Sequence, residues 1–413
     1  AHELPAHTLD GNTPSNKRRW KRLNLNPGTV PYHPEFRGNA SLNERLAFRI
    51  YQLAGIPSPD TAYTQLRVID DLSESGEDQY TGDLWGLYMA FEAIDGFMLD
   101  NHNEPDNTLI RVKQMGNTVA REPPSPPKPG MDYQSFWRSL YQRQAPEWWQ
   151  QRVDLERYYS FHAVSLATAR IDQKLNHNHF LYRHPDRGWQ ALPWDADLCM
   201  RPVAYDPDHH RWHPMLKYSL AYEPFRIAYQ NRARELLDLL FTKESIGALV
   251  DELVKDLGPI DEQASWAELD RFLWNYHPKT TRRHAGTFFR QTIRGQRISD
   301  YRSGEDLSFD TDTFAERVQY FKDYLTPVTS RDRGKAYRGW GHRLLDRNAR
   351  DLASPLTPII RRAGKTDALT FQCNAFKDMQ GKDTSAGLKW RIAGVTPPIY
   401  ELTPVWGREQ IKE

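Results

Sequence analysis

Leu42, Leu46, Ile50 and Leu53 recur every three to four residues, the spacing that lines up apolar side chains on one face of an α-helix. Ser41-x-x-Glu44 stands before them as a capping box, and Gly55 with Pro57 ends the run. The period then shortens. Tyr63, Leu66 and Val68 predict a strand over residues 61–69. Leu84–Ile94 is a dense apolar run broken by Gly86, which predicts a buried strand, and Asp95-Gly96 turns the chain after it. The acidic segment Asp70–Gly82 between the two strands reads as a hairpin tip. Residues 1–120 are therefore expected to form a small α+β lobe. Its first 40 residues are rich in Pro, Asn and Gly, with one basic-aromatic stretch, Lys17-Arg18-Arg19-Trp20-Lys21-Arg22, read as a solvated edge strand.

Residues 121–130, with five prolines, read as a linker or surface loop. Helical periodicity then dominates over Leu155–Ala169, Phe225–Phe241, Ile246–Leu257 and Phe314–Leu325, with a hairpin expected from Phe180–Tyr182 and Trp189–Pro193. Residues 121–352 are thus expected to form a helical lobe. Beyond Ser354-Pro355 short alternating runs return: Ala368–Cys373, Gly387–Ile392 and Ile399–Leu402. They predict a short β-sandwich segment over residues 353–413, incomplete against the roughly 100 residues of a full one.

Composition narrows the function classes. Lys+Arg number 55 against Asp+Glu 54, a formal net charge of +1, so no overall basic field draws in a nucleic-acid backbone. The longest apolar runs fall well short of the roughly 20 residues of a membrane helix, and no signal peptide is visible at Ala1. Two cysteines are too few for a disulfide framework or a structural zinc site. The 13 Trp and 20 Tyr are expected in core and domain interfaces, with sugar stacking as the livelier alternative.

The densest run of reactive residue types is Asp172-Gln173-Lys174, then His177-Asn178-His179, then Trp194-Asp195-Ala196-Asp197. Three chemistries could use it. Paired carboxylates hydrolyse glycosides, His with Asp binds transition metals, and an Asp–Lys–Asn group facing a second Asp across a hairpin suits phosphoryl transfer. His177 and His179 are expected to be surface or packing residues, and Asp206–His213 an exposed loop.

These residues resemble the core of the spore coat protein H (CotH) kinase family. Asp172, His177-Asn178-His179-Phe180-Leu181-Tyr182 and Leu192-Pro193-Trp194-Asp195-Ala196-Asp197 look like its Asp…HNxxLY…PWDxD pattern. Leu23-Asn24-Leu25-Asn26, Ala54-Gly55-Ile56-Pro57 and Trp85–Glu92 are similar to segments upstream of that core. The resemblance implies an atypical protein-kinase-like bilobal fold that transfers a phosphoryl group from ATP, with Mg2+, to Ser or Thr of a secreted or surface protein. Asp172 would be the catalytic base and Lys174 would neutralise the transferred group. Asp195, Asn178 and Asp197 would be metal ligands. Lys113 or Lys21 would meet the nucleotide, Glu44 would pair with one of them, and Glu92 would mark the adenine hinge. The family's opening strand block has no obvious copy here, and Leu198-Cys199-Met200-Arg201 replace its usual small residues. The C-terminal strands resemble Ig-like or fibronectin-like modules of bacterial surface proteins, a resemblance that would place the chain outside the cell or on its surface. The competing reading is a non-catalytic coat-assembly or adhesion protein on the same scaffold.

Overall fold

The computed structural model describes residues 22–28, 38–69, 83–113, 117–121, 131–170, 172–173, 177–201, 214–259, 265–274, 313–328 and 338–350, with short strand segments outside them. Strand β1 (Leu23–Pro27) leads to helix α1 (Leu42–Leu53), strands β2 (Thr61–Val68) and β3 (Asp83–Glu92), and the short helix α2 (Gly96–Asn101). The three strands form one antiparallel sheet with β3 in the centre, as its apolar run requires. Val68 pairs with Asp83, so β2 and β3 are joined as a hairpin reading expects, although its tip, residues 70–82, lies outside the described residues.

Strands β4 (Leu109–Val112) and β5 (Thr118–Arg121) follow, then helices α3 (Met131–Ser139), α4 (Pro146–Arg152) and α5 (Leu155–Ala167). The expected hairpin is present as β6 (His179–His184) and β7 (Gly188–Pro193). A second antiparallel sheet has the order β5-β4-β6-β7. Residues 109–121, read with the small lobe, are thus hydrogen-bonded into the hairpin's sheet. Gly188 sits at φ +88 in the hairpin turn, and a Cβ there would lie 2.5 Å from the Arg152 carbonyl, so glycine is required on two counts.

The remaining helices are α6 (Pro214–Ser219), α7 (Glu223–Leu239), α8 (Lys243–Val254), α9 (Trp266–Trp274), α10 (Phe314–Leu325) and α11 (Trp340–Arg350). Helix α5 is buried along almost its whole length, from Tyr158 to Ala167, because α1, α7, α11 and β7 all pack on it. A continuous core runs from Leu46, Phe48 and Tyr51 of α1 through Phe161 and Val164 of α5 to Leu249 and Leu253 of α8. Trp149 and Trp189 are buried in it, in line with the packing role expected of the aromatic residues. The molecule is an α+β protein.

Two expectations need correction or limit. Ser41 forms no capping box: it adopts φ 54, makes no side-chain cap bond, and its hydroxyl donates to the Pro27 carbonyl at 3.2 Å. Among the described C-terminal residues, Ile360–Ala363 pairs with Thr370–Cys373 and Gly387–Ile392 with Trp406–Ile411. These are separate two-stranded ladders.

Candidate active site

The β6–β7 hairpin carries site residues at both ends. His179 pairs with Pro193 and with Val112, so the residues just beyond, Asn178, Trp194 and Lys113, emerge at one end of the sheet. Asn178 and Asp195 both adopt left-handed backbone, φ 59 and φ 56. Asn and Asp tolerate this conformation better than most residues, and it turns the chain out of the ladder. Arg170 fixes both turns. Its fully buried guanidinium donates to the carbonyls of Asn178 (3.1 Å), Trp194 (2.6 Å) and Asp195 (3.2 Å), and to the Tyr51 hydroxyl (3.3 Å).

Asp172 is half-buried beside this frame. Asn178 Nδ2 donates to its Oδ2 at 2.9 Å, and His177 Nε2 lies 3.7 Å from the same oxygen. Asp195 is exposed as a whole residue, yet its carboxyl is held above the usual range. Partial removal from water is the main cause; Arg170 opposes it, and the Asp172 carboxylate adds repulsion. The two acids are therefore near enough for each to feel the other's charge. His179 is buried and packs against Phe161, and burial pulls its imidazole down to about 4, the packing role expected for it.

The first turn of α1 closes the site from the other sheet. Glu44 is buried, and its Oε1 accepts the Ala196 N–H at 3.0 Å while Oε2 accepts from Asn26 Nδ2 at 3.1 Å. Burial pushes its carboxyl up to about 8, and the Asp197 and Asp195 carboxylates add to the shift. Asn43 donates to the Asp197 carbonyl, and the Cys199 thiol donates to the Asn43 carbonyl at 3.4 Å. Glu44 thus holds the Asp195–Asp197 loop by its backbone, where sequence reasoning gave it a cap or a lysine partner.

Lys113 is half-buried, and its N–H donates to Asn117 Oδ1 at 3.2 Å. Lys21 and Lys174 lie outside the described residues. The Glu92 carboxylate joins a cluster with Asp60, Asn101 and His102. Its own N–H donates to the Asp60 carbonyl. Sequence reasoning missed Arg170, Asn43 and Arg111. Arg111 stacks on the Trp194 ring at 5.3 Å and draws Asp195 downward in proton affinity. Arg170 did leave a signal: a charge three residues beyond the apolar end of a helix, Ala163-Val164-Ser165-Leu166-Ala167, must find its acceptors inside the fold.

Chemically, the cluster brings the carboxyl groups of Asp172 and Asp195 and the amide of Asn178 to one end of the hairpin sheet. It also offers a half-exposed carboxylate, Asp172, oriented by an amide. The family model of the CotH kinase proteins matches residues 12–326. The chain belongs to this family, which points to kinase-type activity on a protein. A search of curated proteins found no match.

Proposed function

We propose that this chain is a Mg-ATP-dependent protein kinase that phosphorylates Ser or Thr of secreted or surface, coat-type proteins. The observation that carries the reading is the convergence of Asp172, Asn178 and Asp195 at one end of the hairpin sheet, with Asn178 bonded to Asp172 and the two acids felt by each other. Bound ATP supplies the phosphoryl group, and magnesium offsets its charge. Asp172, steadied by Asn178, orients the acceptor hydroxyl and takes its proton. Asp195, with Asn178 and Asp197, would hold the metal, and Lys174 with Lys113 or Lys21 would offset phosphate charge. Positioning and electrostatics account for most of the acceleration in such a transfer.

The C-terminal segment, which resembles Ig-like or fibronectin-like modules, would place the kinase outside the cell or on its surface. Radiolabelled ATP with a mixture of acceptor proteins tests the catalytic reading. Asp172→Asn is expected to lower transfer by about 10²–10⁴-fold, the usual contribution of a positioned base, and Asp195→Ala to abolish it, with far-UV circular dichroism unchanged. Full transfer by Asp172→Asn would remove Asp172 as the base, and no transfer by the wild type would favour a coat-assembly role.

A further inference from the structure

Apart from the cluster described above, a second group of ligating side chains gathers where the first sheet meets α2. Asp60 stands one residue before β2, Glu92 ends β3 and His102 closes α2. One ligand atom from each of the three lies within 4.8 Å of the others. His102 Nε2 is 2.9 Å from Glu92 Oε2.

Glu92 is only 1% exposed. Among the described residues its one ion-pair partner is His102, which carries charge only when protonated. Asp60 brings a second carboxylate to the same place. Burying a carboxylate costs several kcal/mol unless a cation meets it, and an imidazole that is charged only when protonated meets Glu92 incompletely.

The carboxylates are also held from outside. Asn101 Nδ2 donates to Glu92 Oε1 at 2.6 Å and Gln52 Nε2 to Asp60 Oδ1 at 2.8 Å. The Asp60 N–H donates to Glu92 Oε2 at 2.9 Å. Outer hydrogen bonds of this kind orient metal ligands and fix their basicity.

We propose that Asp60, Glu92 and His102 form a transition-metal site, for zinc, that ties α2 to the first sheet. The donor set selects the class. Imidazole suits zinc, whereas magnesium, calcium and manganese prefer oxygen donors. Ligand atoms around tetrahedral zinc lie roughly 3.4 Å apart given bonds of about 2.1 Å, so small side-chain rotations close the triad. Three protein ligands leave a position for water.

Binding replaces the His102–Glu92 hydrogen bond by two metal bonds, and the imidazole binds neutral. The site shares no residue with Asp172, Asn178 or Asp195, so it stands whether or not phosphoryl transfer is confirmed.

The test is zinc titration of the full chain after chelator stripping, followed by calorimetry and elemental analysis. One zinc per chain is expected in the wild type and in Asp195→Ala. Affinity should fall at least 10-fold in His102→Gln and in Asp60→Asn, as loss of a ligand requires. Asp60 is half-buried, so its variant guards against a misfolded Glu92 or His102 change. No zinc uptake by the wild type, or unchanged uptake in both variants, overturns the site. Zinc lost instead in Asp172→Asn assigns it to the Asp172–His177 pair and overturns it equally.

Discussion

Glu44 shows how one side chain can carry the state of a whole site. Its carboxyl is buried between Asp195 and Asp197, holds the Ala196 N–H, and titrates near 8 instead of the usual 4.5. Between those two values the folded chain keeps a proton that the unfolded chain releases. Raising the pH through this window therefore destabilises the fold, by at most about 1.4 kcal/mol per pH unit for one proton. Thermal melts from pH 5 to 8 should show this decline in metal-free protein. Glu44→Gln, which keeps an oxygen for Ala196, should flatten it; an identical slope in the variant would show that another group titrates. Arg170 works at the same scale by different physics. A permanent cation sealed among three carbonyls and a phenol makes charge-assisted bonds about twice as strong as neutral ones, so the two left-handed turns it braces are held rigidly.

Between elements, α11 approaches α5 closely at a glycine. A Cβ on Gly341 would lie 2.1 Å from the Ala167 carbonyl and 3.0 Å from Tyr324 Cε1, both on elements that cannot retreat. Alanine is the better helix former by about 1 kcal/mol, yet Gly341→Ala should destabilise the chain by about 1–3 kcal/mol through overpacking. Urea denaturation measures it, and a stabilised variant would mean that α11 docks differently. The anchorage of α1 follows the same logic at its first turn. Asn43 and Glu44 grip the Asp195–Cys199 loop, and Arg45 donates to the Leu253 carbonyl at the end of α8. A shift of α1 along its axis would drag the acidic loop with it. The helix itself was legible from its spacing, but this grip was not, because Ser41-x-x-Glu44 fits a capping box equally well. Only the loop arriving from far along the chain gives Glu44 a better partner.

At the scale of the molecule, Trp194 joins the two sheets. Its ring meets Phe91 of β3 and Phe180 of β6, each at 5.6 Å between centroids, and Arg111 covers it. A nucleotide bound by residues from both sheets would stabilise the whole assembly. Mg-ATP at 100 times its dissociation constant should add about 2.7 kcal/mol by mass action, seen as a rise in melting temperature, and Asp195→Ala should remove that rise. No shift in the wild type would leave the scaffold without its nucleotide.

What the chain's order of residues settled alone were features of local period and local chemistry: helix α1, the central strand β3, the β6–β7 hairpin, the amphipathic helices α7, α8 and α10, and the convergence of Asp172, Asn178 and Asp195 around that hairpin. Those depend on neighbours a few residues apart, or on a turn short enough to bring two ends together. The pairing of β4 with β6, the burial of Arg170, the grip of Glu44 on Ala196 and the meeting of Asp60 with Glu92 and His102 all join distant segments. Their partners are chosen by which buried polar groups must be satisfied once the core has closed, and that choice exists only in three dimensions.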